Sequence, residues 1–160
     1  MITRPKRSFC SGGFGGVCRM LFVAGLILLT LLSGAVFAED KDVVDYREHV
    51  MNTLNEQSAA LGQILSGAIS DKNAQAHLEA IALTATTALK AFEPKVPGGE
   101  AKAEVWRNWA DFSKRMNEFA RLTREAAKVS NEKGFSAAGP TIVDALSCKS
   151  CHDVYREEEK

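Results

Sequence analysis

Beyond residue 38 the chain has only two cysteines, Cys148 and Cys151, so no disulfide framework can brace it. Strand-like alternation of apolar and polar residues is almost absent there, which excludes a fold built on sheets. An excess of positive charge is missing too. Residues 39–160 hold 16 of the 20 basic residues against all 20 acidic ones, a net charge of −4, and nucleic acid is not an expected partner. The sequence offers no Ser/His/Asp set, no paired acidic site and no glycine loop able to cradle phosphate, so no enzyme activity of the hydrolase or transferase kind is expected. Internal repeats and low-complexity tracts are also lacking. What is present, 160 residues of which 46% are hydrophobic and 25% charged, suits one globular domain plus a removable segment.

That segment is residues 1–38. Arg4, Lys6, Arg7 and Arg19 precede an apolar run from Met20 to about Leu32, and no acidic residue interrupts them. The run is short for a membrane span, and Ser33 to Ala38 supply small or aliphatic groups before a cut between Ala38 and Glu39. The pattern predicts a cleaved secretory signal, a periplasmic domain over 39–160 and no stable membrane anchor after cleavage; an uncleaved anchor is the competing reading. Cys10 and Cys18 would leave with the signal.

One helical period recurs through the remainder. Val43, Tyr46, Val50, Met51, Leu54, Leu61, Ile64, Leu65 and Ala68 keep a three-and-four spacing that predicts a long first helix. Ser70 and Asp71 predict a turn and an N-cap for a second, where Leu78, Ile81, Leu89 and Phe92 continue the pattern up to Pro94. Lys95 to Gly99 reads as a loop. A third helix is expected from near Ala101 to about Ser130, with Val105, Trp109, Phe112, Met116, Phe119 and Ala126 on its core face. After a polar connection over Asn131 to Gly139, Pro140 belongs in the first turn of a fourth helix carrying Ile142, Val143 and Leu146. The expected fold is all-α, an antiparallel up-down-up-down four-helix bundle.

The fourth helix runs into Cys148-Lys149-Ser150-Cys151-His152. On a helix these positions project two thiols and an imidazole from one face. A C-x-x-C-H of this kind reads as covalent attachment of one haem c, the thiols adding to the two vinyl groups and His152 reaching the iron as proximal ligand. Zinc would need a second ligand pair, which the chain lacks. A thioredoxin-like motif belongs beside a strand in a βαβ unit. A structural disulfide fits three-residue helical spacing poorly and leaves His152 without a role.

With the attachment motif on its last helix, the whole of residues 39–160 resembles a class II cytochrome c, the cytochrome c′ family. The run from Ser147 through Arg156 is similar to that family's closing helix, and the resemblance implies that Arg156 lies beside the proximal face. Tyr46-Arg47 resembles the family's entry to the distal side, implying that Arg47 approaches a haem propionate and that Met51 faces the iron. Gly98-Gly99-Glu100, ahead of Trp106, resembles the loop that borders the haem edge and brings in Glu100. Homodimers formed through the first helices are a further implication. Independently of family, Arg47 sits on an otherwise apolar stripe and needs a buried anion, and a propionate is one.

Two functions share this expected fold. With Met51 as sixth ligand, His/Met ligation makes a low-spin periplasmic carrier of single electrons between redox partner proteins. With Met51 only packing, the haem is five-coordinate and open to nitric oxide or carbon monoxide. His49 is expected on the polar side of the first helix, His77 at the edge of the second, and Met116 in the core.

Overall fold

Asp40 and Asp42 open the first helix, where carboxylates favour the positive end of the helix dipole, and Val50, Leu54, Leu61 and Ile64 then bury one stripe of it. In a computed structural model describing residues 40–158, all within the compact unit Ala38–Lys160, this helix, α1, spans Asp40–Leu65. The expected signal over 1–38 lies outside the described residues. The remaining helices are α2 (Ala74–Ala88), α3 (Glu104–Arg107), α4 (Trp109–Lys133), α5 (Phe135–Ala145) and α6 (Cys148–Tyr155), with 3-10 turns at Asp71–Asn73 and Leu89–Phe92. Long helices pack on their sequence neighbours, α1 on α2, α2 on α4 and α4 on α5, in an antiparallel four-helix bundle whose last member is split between α5 and α6. No helix among the described residues is long and apolar enough to cross a membrane.

The middle position of α2 explains its composition. It buries Ala74, Leu78, Ile81, Ala82, Ala85 and Ala88, and this run of small side chains lets two neighbours approach one helix. Leu61, Ile81, Val105 and Ile142 are the largest fully buried side chains of the common core.

Boundaries depart from the sequence-based expectation where glycine intervenes. α1 stops at Leu65, short of Ala68, because Gly67 takes φ 76° and the Ala68 and Gly67 amides bond back to the Gln63 and Ile64 carbonyls, both at 3.0 Å. This is a Schellman stop. Ser70 makes no side-chain cap; a 3-10 turn leads into α2 instead. The third helix is broken at Asn108 (φ −117°, ψ 47°), which separates α3 from α4. α4 then runs past Ser130 to Lys133, and Gly134 at φ 86° is the entire connection to α5. Pro140 therefore lies inside α5, not in its first turn, where its missing N–H forfeits a bond to the Ser136 carbonyl. α5 also ends before the cysteine motif, at Leu146 and Ser147. Four residues assigned to core stripes face solvent: Tyr46 (54% exposed), Leu65 (41%), Ala68 and Val143 (67%).

Candidate functional site

An eight-residue helix is marginal by itself, so the direction of α6 comes from what holds it. Ser147 Oγ donates to the Asp144 carbonyl at 3.0 Å and Ser150 Oγ to the Ser147 carbonyl at 2.8 Å, closing the corner after α5. At the other end the loop before α3 is stitched to the chain leaving α6. The Lys102 amide donates to the Tyr155 carbonyl at 3.0 Å and the Glu157 amide to the Glu100 carbonyl at 2.8 Å, with an antiparallel bridge between Ala101 and Arg156.

On α6 the motif keeps its expected spacing. Cys148 is exposed, Cys151 half-buried, and both are free thiols. Burial pushes both thiols up, Cys151 slightly relieved by Arg115. His152 is pushed down by burial and then by the charge of Arg156, which favours the neutral imidazole that binds metals. It opens onto a cleft of about 370 Å³ shared with Lys102, Asp153, Arg156, Glu157 and Glu158. Arg156 Nε reaches Glu100 Oε2 at 2.9 Å, so two residues singled out 56 positions apart in the sequence form one ion pair beside His152.

Arg47 is 3% exposed on α1. Its surroundings differ from the bare apolar stripe of the sequence. Nη2 donates to the carbonyl of Val96 at 3.1 Å and, at 3.5 Å, to that of Gly98, and the guanidinium carbon lies 5.2 Å from the ring centres of both Phe92 and Trp106. The loop and two aromatic faces thus take part of the role expected of an anion. Nη1, however, is buried without a hydrogen-bond partner, and burial pushes the guanidinium down. A buried cation with an unspent donor, two free thiols and a neutral imidazole fit a haem with its propionates. Gly99 brings the loop onto α1: at φ 60° it lies so close that a Cβ would run into the Glu48 carboxylate and meet Val44 Cγ1 at 3.0 Å.

Met51 is half-buried and packs against the core cluster, as do Trp106 and Trp109. Met116 is in the core. His49 is exposed, and His77 Nδ1 pairs with Gln57 Oε1 at 2.8 Å across α1 and α2. Sequence reading missed Asp111, Arg115 and Tyr155, which join α4 to α6; Tyr155 OH donates to Asp111 Oδ2 at 2.6 Å. The only advance signal was the i,i+4 pairing of Asp111 with Arg115, common on any solvated helix.

A family model described as Cytochrome C' matches residues 42–156. The cytochrome c' of Rhodospirillum rubrum is 32% identical over 149 residues, covering 88% of this chain and 99% of that protein. The cytochrome c' of Alcaligenes xylosoxydans xylosoxydans is 27% identical over 129 residues, covering 77% and 99%. Among solved structures, ferric cytochrome c prime from Alcaligenes xylosoxidans superposes with a TM-score of 0.70 at 24% identity, over 77% of this chain and 99% of that one. Cytochrome c prime from Shewanella frigidimarina gives 0.67 at 23%, over 76% and 99%.

Proposed function

We propose a function from one premise: the chain belongs to the cytochrome c′ family. It is a haem protein carrying covalent haem c with iron. Our reading is that Cys148 and Cys151 form the thioethers, His152 is the proximal ligand, Arg47 Nη1 donates to a propionate, and the distal position is open to nitric oxide or carbon monoxide. When bound, the haem supplies an iron able to take one diatomic ligand or exchange one electron. The protein's part is to hold the imidazole neutral, to keep Arg156 and Glu100 paired beside it, and to screen the distal side with apolar groups.

The observation that carries the open-site reading is the match to the cytochrome c′ family and to relatives named cytochrome c', and Met51, half-buried against the core, has a packing role that needs no bond to iron. Structures of the Alcaligenes xylosoxidans protein include a nitrosyl complex of one variant and a nitrite complex of another, which supports diatomic and small-anion chemistry as the class to test first. The His/Met electron carrier is the second reading, favoured by the placement of Met51 one turn from buried Arg47 on α1. We place the protein in the periplasm, after cleavage between Ala38 and Glu39.

The test is a visible spectrum of protein recovered from a periplasmic extract, its intact mass beginning at Glu39 and including one haem. A high-spin ferrous spectrum that shifts with carbon monoxide, unchanged by Met51→Leu before the gas is added, is expected. Low-spin bands indifferent to carbon monoxide, converted to high-spin by Met51→Leu, would establish the His/Met carrier instead.

A further inference from the structure

A phenol, a carboxylate and a guanidinium meet where α6 crosses α4, outside the cysteine motif. Tyr155, 3% exposed, donates its hydroxyl hydrogen to Asp111 Oδ2 at 2.6 Å. Arg115, one turn further along α4, donates from Nε to the same oxygen at 2.6 Å and from Nη1 to the Ser150 carbonyl at 3.3 Å. Its guanidinium lies 6.0 Å from the Tyr155 ring centre, and that ring stands edge-on to Phe112 at 5.1 Å. One carboxylate oxygen thereby secures α6 twice: at its last residue, and, through Arg115, at Ser150, one of the two residues between the cysteines. α6 is cut off from α5 at Leu146 and Ser147, so contacts of this kind must set its orientation.

We propose that Asp111 is a positioning residue of the haem site, which fixes the angle of α6 through Tyr155 and Arg115 and forms with Arg115 a pair of opposite charges in the field at the iron. The side chains of Arg115 and Asp111 are 41% and 36% exposed, so solvent screens much of the pair and its effect on the iron is modest. The proposal rests on haem attachment at Cys148 and Cys151, and it is independent of whether the sixth position is open.

Asp111→Asn, Arg115→Gln and Tyr155→Phe are compared with the wild type as haem-loaded protein recovered from the periplasmic extract, by redox titration and ferric electron paramagnetic resonance, with thermal denaturation in parallel. Oxidation adds positive charge at the iron. Removal of the anion at 111 therefore favours the ferrous state and removal of the cation at 115 the ferric. The two reduction equilibria are expected to move in opposite directions by about threefold each, ~28 mV at ~59 mV per decade for one electron. Tyr155→Phe changes no charge and is expected to leave the potential near that of the wild type while altering the ferric resonance, as α6 loses its side-chain bond to Asp111. Equal signs in the two charge variants, which destabilisation alone would produce, or no shift in either, would overturn the electrostatic part. A ferric resonance unchanged in all three would overturn the positioning role. Neither result depends on the carbon monoxide test, so the two readings fail separately.

Discussion

Tyr155 gives its hydroxyl to Asp111, and its side chain reports most directly on how α6 is held. Burial, and then the hydrogen bond it donates to Asp111, push its hydroxyl from 10.0 up to about 12. An unfolded chain releases this proton near pH 10, whereas the folded chain keeps it. The stability the folded environment provides is therefore complete below pH 10 and lost as pH rises from 10 towards 12. Urea midpoints measured at pH 9 and pH 11 are expected to fall more in the wild type than in Tyr155→Phe, which has no hydroxyl to titrate. Equal falls would mean that other groups govern the alkaline limb. At the same scale, Arg47 was legible as a buried cation in need of partners, because a charge on an apolar stripe is conspicuous. Its actual partners were not legible: the Val96 and Gly98 carbonyls lie 49 and 51 residues away, and no periodicity links a helix face to loop carbonyls.

The four members of the bundle were read well in order, though two of them are broken into α3/α4 and α5/α6, since a three-and-four apolar period is a local property that one side of a bundle imposes directly. Their ends were read less well. Gly67 and Gly134 end helices through positive φ, a backbone fact that outranks the apolar pattern continuing past them. Gly67→Ala meets no neighbouring atom and should cost only the conformational penalty, about 1 kcal/mol. Gly99→Ala adds a clash with Glu48 and Val44 to a similar φ cost and should be more destabilising. Thermal denaturation of the two variants ranks them, and the reverse order would mean that the loop at Gly99 yields to the added methyl. The split between α5 and α6 was also unread, because Ile142, Leu146 and the cysteine motif continue one plausible helical phase across Ser147.

Across the whole molecule, the candidate site draws on both ends of the described chain. Arg47 near the start of α1 has one donor unspent, and Cys148, Cys151 and His152 stand on the last helix. With a propionate on Arg47, the covalent haem joins α1 to α6. The double variant Cys148→Ala/Cys151→Ala is accordingly expected to lose haem on a denaturing gel and to melt at a lower temperature than the loaded wild type. An unchanged melting temperature would mean that the bundle does not lean on its cofactor.

By itself the sequence determined that the protein is an all-α bundle and that two thiols and an imidazole stand together near its end, the set we propose attaches the haem. Those features repeat or cluster within a few residues, and covalent chemistry or helical geometry acts over that span. Only the tertiary structure decided that Glu100 pairs with Arg156, that Phe92 and Trp106 flank Arg47, and that Asp111 on α4 takes hydrogen bonds from Tyr155 of α6 and from Arg115 beside it. Each of these but the Asp111–Arg115 pair joins residues at least 44 positions apart, and the packing of one helix on another, which no local pattern encodes, brings them together.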